Sequence, residues 1–233
     1  MAPVKTPSTR TYRSAVRAEA AARTRRSVVE AAARLFAGRG YAATSLADIA
    51  AEAGVARPTV FAAFGSKPGL LREVLDQALA GDDEPVPVAE RAWFRPVWDA
   101  RRPADVLAAY AAVCTEIGAR AGRLFEVVRR AADDAPEVAD LWSILVANRR
   151  AGAAMVVDHV LTRGGVLPAG LDRERAVDVL WLLNDPAHYE ALVGERKWSE
   201  DAFRDWLGDR MVESVLGARR TRARAPRPTA TAT

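Results

Sequence analysis

Thr44 to Lys67 reads TSLADIAAEAGVARPTVFAAFGSK, and the spacing within it predicts two short helices joined by a glycine turn. Ser45 stands before Leu46, Ala47 and Asp48. It offers a hydroxyl to the free amides of a first turn, and three residues on a carboxylate answers it. Leu46, Ile49 and Ala50 recur at three and four residues and give one narrow apolar face, with Ala47, Asp48 and Glu52 outside it. Gly54 supplies the left-handed backbone that ends a helix. Val55 plugs the angle between the helices, and Pro58 falls in the first turn of the second, where no intrahelical amide is needed. The predicted helices are Ser45 to Ala53 and Ala56 to Phe64. The second turns Val60, Phe61 and Phe64 inward and leaves Ala56, Arg57 and Thr59 outward, where a helix-turn-helix presents residues to base edges. Helix-glycine-helix spacing also occurs in enzymes and plain bundles, so the flanks have to decide.

Upstream, Val28, Val29, Ala32, Leu35 and Phe36 mark an amphipathic helix from Arg23 to Ala37, with Arg25, Arg26, Glu30 and Arg34 outside. Gly38 and Gly40 close it, and Tyr41 and Leu46 are expected to pack beneath Phe36. Downstream, a helix begins near Ser66 with Pro68 in its first turn and carries Leu70, Leu71, Val74, Leu75 and Leu79 to Gly81. The result is a three-helix unit with a connector.

The segments match a known pattern. Leu35, Phe36 and Gly40, then Thr44, Ser45, Ile49 and Ala50, the Gly54 and Val55 turn, the Pro58, Thr59, Val60, Phe61 and Phe64 helix, and Ser66, Lys67, Leu70 and Leu71 resemble the DNA-binding domain of the tetracycline-repressor (TetR) family of bacterial transcription regulators. The resemblance runs over residues 23 to 79 and implies contacts by position. Arg57, Pro58 and Thr59 fall where the family touches bases and backbone, Lys67 where it meets a phosphate, and Thr44 and Ser45 at the start of the helix that crosses the backbone. Phe61 replaces a phosphate-contacting tyrosine, Ala63 a histidine, and Ala56 a Ser or Thr cap.

Half of the 233 residues are hydrophobic, enough for a sizeable core, and helical spacing recurs with no alternating run long enough for a strand. The fold class is all-α: an N-terminal three-helix helix-turn-helix domain and a C-terminal helical domain for ligand binding and dimerisation. The predicted divisions are a flexible basic arm over 1–22, becoming helical near Ala15; the DNA-binding domain and connector over 23–80; the ligand-binding and dimerisation domain over 81–217; and a basic disordered tail over 218–233. The net charge of +4 conceals an asymmetry. Residues 1–40 hold nine basic and two acidic side chains, residues 41–80 three basic and four acidic, and residues 218–233 five arginines and no acid, which leaves 81–217 at −7. Basic ends suit phosphate, whose neutralisation supplies most sequence-independent affinity.

In the body, GDDEPVPV from Gly81 is an acidic, proline-broken loop followed by an aromatic plug of Trp93, Phe94 and Trp98. Helices are predicted from Ala104, loosened at Gly118 and Gly122, from Arg123 to Ala132, and from Pro136 to about Arg163. Two more carry Val177 to Leu183 and Phe203 to Leu216, the latter begun by Ser199. Apolar residues occupy nearly every angle of the Val177 to Leu183 helix, so one side can face the core and another a partner. Leu180, Leu183, Phe203, Trp206, Leu207 and Met211 are the expected homodimer interface, the mode of pairing the resemblance also implies. A monomeric bundle with a two-sided core is the competing arrangement. The expected ligand pocket draws on Tyr110, Cys114, Phe125, Trp142, Met155, His159 and Trp181, whose Trp and Met content points to a small hydrophobic or aromatic ligand.

Other chemistry is missing. The single cysteine excludes an internal disulfide and a cysteine-based zinc cluster, and no secretory leader or membrane-length apolar run is evident. His159 and His188 lack carboxylates at metal-ligand spacing. No phosphate loop or nucleophile elbow is present. The expectation is a cytoplasmic bacterial regulator without cofactor, metal or enzymatic activity: a ligand-responsive repressor binding a double-stranded, pseudo-palindromic operator as a homodimer. The rival is a helical small-molecule binding protein or enzyme that has kept the domain and lost DNA affinity, as Phe61 and Ala63 allow.

Overall fold

The computed structural model describes residues 9–217, and they are helical with no strand among them. Helix α1 spans Thr9–Arg39. It is already helical where the sequence reading places a flexible arm up to residue 22, because alanines recur through 15–22 and alanine carries the lowest cost of any residue in a helix. The start of the basic arm, residues 1–8, and the basic tail, 218–233, lie outside the described residues.

Helices α2, Leu46–Glu52, and α3, Arg57–Phe64, follow, then α4, Lys67–Ala80. The start of α2 is the predicted capping box. Ser45 Oγ accepts the Asp48 amide at 3.1 Å, and Asp48 Oδ2 accepts the Ser45 amide at 2.9 Å. Gly54 has φ +68°, the left-handed conformation the turn requires. Pro58 lies in the first turn of α3, and Ser66 caps α4 by accepting the Gly69 amide. Phe36 stacks on Tyr41 at 5.9 Å between ring centroids.

The chain then makes a short helix α5, Arg95–Asp99, and two long ones, α6, Pro103–Ala131, and α7, Pro136–Thr162. Two helices were expected where α6 is continuous. Gly118 and Gly122 are both buried within it, and packing outweighs the roughly 0.5–1 kcal/mol that a helical glycine costs relative to alanine. Helix α8, Arg173–Leu183, is capped by Asp172, and α9, Pro186–Tyr189, runs into a π-helical turn at Glu190–Glu195. The final helix α10, Glu200–Leu216, starts at Ser199, whose hydroxyl accepts the Ala202 amide.

Two compact units result, and they do not follow chain order. The first takes the described residues up to Val88 together with Ile117–Ala147. Its core joins Val28, Phe36, Ile49, Val60, Leu70 and Leu75 of the helix-turn-helix and connector to Leu124, Phe125, Val128, Leu141 and Leu145. The predicted boundary near residue 80 therefore leaves out part of the body, the second half of α6 and the start of α7. These add apolar side chains to the same core. The second unit takes Ala89–Glu116 and, among the described residues, those from Asn148 onward. Val106, Leu107, Val156, Val160, Val177, Leu180, Phe203, Leu207 and Met211 are among its buried residues.

Candidate nucleic-acid interface and polar core

Helix α3 is held by few residues. Val60 is wholly buried, Phe64 is half-buried beneath the Arg25 guanidinium at 4.5 Å, and Arg25 also donates to the Ala63 carbonyl at 3.1 Å. Arg25 is fixed in turn by Glu73 of α4 at 2.8 Å. Arg57, Pro58 and Thr59 are exposed at the amino end, as the sequence predicts. Phe61 is not inward: 60% of it is exposed. With Val60 and Phe64 filling the inner side of so short a helix, the ring is left on the flank. Ser45 is exposed at the head of α2.

Thr44 is a correction. It is 1% exposed and donates its hydroxyl to the Gly40 carbonyl at 2.8 Å and the Leu35 carbonyl at 3.3 Å, so it ties the end of α1 to the start of α2 rather than facing a duplex. Lys67 is half-buried, with Nζ 4.0 Å above the Tyr41 ring. Burial lowers its pKa, while Glu137 pulls the other way. The Tyr41 phenol is pushed up to about 12 by burial and then by Glu137. Asp48 is held below its ordinary value, first by the Ser45 hydroxyl and then by the Ser45 amide.

The second unit contains a polar core that sequence reasoning only partly anticipates. Asn184 donates to the Tyr110 hydroxyl at 2.8 Å and accepts from Arg149 Nη2 at 3.0 Å. Arg149 also donates to the Trp181 carbonyl at 3.0 Å, pairs with Asp185 at 3.0 Å and lies over the Trp181 ring. Burial pushes the Cys114 thiol up to about 12 and the Tyr110 phenol higher still. Trp181 Nε1 is buried and meets no acceptor among the described residues. Tyr110, Cys114 and Trp181 of the expected pocket thus belong to one neighbourhood, and Arg149 and Asn184 were missed. Arg149 had a signal, since it interrupts an apolar spacing of Leu145, Ala153 and Val156.

The rest of that expected set divides. Phe125 is buried in the core of the first unit, and Trp142 packs on that core. Met155 is 43% exposed on the outside of α7. His159 sits edge-on to Trp98 at 5.2 Å, its pKa lowered by burial and by Arg163. Of the expected dimer surface, Leu180, Phe203, Leu207 and Met211 are buried within the protomer and cannot also meet a partner. Leu183 and Trp206 stay half-buried, beside the more exposed Leu182 at 61% and Trp198 at 39%. One apolar stripe of each helix is used up in packing α8 on α10. Among the described residues no three His, Cys, Asp or Glu side chains could hold a metal ion, and no helix is long and apolar enough to cross a membrane.

A capped helix, a glycine turn and a proline-started helix with its leading residues outward form a helix-turn-helix, the arrangement with which DNA-binding proteins enter a major groove. Residues 28–74 match the model of the bacterial regulatory proteins of the tetR family, so the chain carries the DNA-binding domain of that family. It is a transcriptional regulator. It is 28% identical over 189 residues to the HTH-type transcriptional regulator TtgR of Pseudomonas putida, covering 77% of this chain and 82% of that one. The fold is shared with NalD, the secondary repressor of the MexAB-OprM multidrug efflux pump in Pseudomonas aeruginosa, at 21% identity and TM-score 0.63 over 84% of this chain and 97% of that one. It is shared also with the regulator FadR of Bacillus subtilis in complex with stearoyl-CoA, at 17% identity and TM-score 0.63 over 81% and 98%.

Proposed function

We propose that the chain represses transcription in the cytoplasm as a homodimer, its two copies of α3 entering successive major grooves of a pseudo-palindromic operator. The observation that carries this reading is the outward amino edge of α3, with Arg57, Pro58 and Thr59 exposed over a buried Val60. The exposed Leu182 and Trp198, with half-buried Leu183 and Trp206, supply the pairing surface. A small apolar or aromatic ligand binds the second unit near Tyr110, Cys114 and Trp181, with Arg149 and Asn184 as polar anchors. Support comes from the unmet indole N–H and from FadR, a neighbour in fold that holds an acyl-CoA. Ligand and DNA then favour different states of the protein, and that difference in affinity releases the operator.

The rival reading, a ligand-binding protein without DNA affinity, draws on Phe61 and Ala63, which bring neither hydroxyl nor imidazole to a phosphate. Gel shift against the protein's own upstream DNA at two salt concentrations separates the two. A sequence preference that survives the higher salt is expected; none at either concentration would overturn the repressor reading. Arg57→Ala should cost the discrimination of one bidentate base contact, about 1–3 kcal/mol, and unchanged preference among operator variants would remove Arg57 from that role.

A further inference from the structure

Helix α3 reads RPTVFAAF, so Arg57 and Thr59 are the only side chains on it that can form a hydrogen bond. Val60 and Phe64 define its inner side. At 100° per residue, Pro58, Thr59 and Ala62 lie opposite them, with Phe61 on one flank and Ala63 on the other. All five are exposed. The Ala63 flank continues onto α1 as an open groove of about 330 Å³ lined by Ala21, Thr24, Arg25, Val28, Thr59, Ala62 and Ala63, a surface of methyl groups and two hydroxyls around one tethered arginine.

Such a face cannot use most of the major-groove code. Adenine is read through paired bonds to Asn or Gln, and cytosine through a carboxylate; guanine takes Arg or Lys, and thymine also offers its 5-methyl to apolar side chains. The helix has no amide or carboxylate side chain, one guanidinium and a run of apolar carbons. We propose that this regulator reads its operator chiefly through thymine methyl groups, received by Phe61, Ala62 and Pro58, with guanine specified once per half-site by Arg57. Phe61 determines specificity here: with no hydroxyl to give a phosphate, its exposed ring contributes apolar contact at the edge of the groove. Ala62 and Ala63 are short enough to let the helix axis approach the bases.

This inference rests on the repressor reading, and the two fail differently. The test begins by enriching binding sequences from a random duplex pool with the unaltered protein. Thymines of the enriched site are then replaced one at a time by uracil, which removes only the methyl. At two or more positions in each half-site the dissociation constant should rise roughly fourfold, the factor corresponding to about 0.8 kcal/mol for a buried methyl-sized group. Replacing a sensitive T·A pair by C·G should weaken binding further, and methylating that cytosine at C5 should restore part of the loss. Phe61→Ala should abolish the methyl sensitivity at one position and leave the others, and Phe61→Tyr should keep it. An enriched site whose uracil versions bind as well as the original would overturn methyl readout and leave the repressor reading standing. No enrichment at all would remove both.

Discussion

Thr44 and Arg57 both fall where the family's pattern implies contact with DNA, and their surroundings assign them opposite roles. Thr44 spends its hydroxyl on two carbonyls inside the protein, whereas Arg57 is exposed. Replacing Thr44 by valine keeps the shape and leaves those carbonyls short of a donor, so a loss of about 1–3 kcal/mol of folding stability is expected. Chemical denaturation measures it, and the salt slope of DNA binding should not change, because no phosphate contact is removed. The capping pair carries a pH dependence. The Asp48 carboxyl is depressed in the folded state by its bonds to Ser45, so the stabilisation is present above the unfolded value of 3.8 and is lost as pH falls through the lower folded value. Melting temperatures of wild type and Ser45→Ala should draw together below pH 3.8; a gap constant from about pH 5 to about pH 2 would show that the carboxylate takes no part.

Among the elements, those whose starts and stops are local chemistry were legible. Ser45 with Asp48, Gly54, Pro58, Ser66 and Ser199 mark ends in the sequence, and the helices begin or end there. What could not be read locally was how long a helix survives once buried, as at Gly118 and Gly122, or which of two apolar stripes packing consumes, as in α8 and α10. Arg149 was missed for the same reason, since its partners Asn184 and Asp185 lie on another element. The end of the connector tests this local logic. Gly81 closes α4 with φ +89°, and Arg120 donates to the Leu79 carbonyl beside it at 3.2 Å. Gly81→Ala should cost about 1–2 kcal/mol for the left-handed backbone alone. Its Cβ would also lie 2.7 Å from Arg120 Nη1. The double variant with Arg120→Ala should therefore lose less than the sum of the two single changes, and strict additivity in denaturation would show that guanidinium and glycine are independent.

At the scale of the whole molecule, charge and association are the properties to measure. If the exposed parts of α8 and α10 pair with a second copy, folding and assembly are linked, and the melting temperature should climb with protein concentration. A melting temperature that stays fixed over a hundredfold dilution, with a monomer in sedimentation, would remove the pairing surface.

The shared core of the first unit bears on any attempt to transplant this reader onto another sensor. Val28, Phe36 and Leu75 rest in one cluster with Leu124, Phe125, Leu141 and Leu145. A fragment cut after Val88 would leave that greasy seat open to water and clump. A workable chimera has to borrow the later segment, residues 117–147, along with the head, so the splice points lie inside two long helices rather than in the loop where the eye would place them.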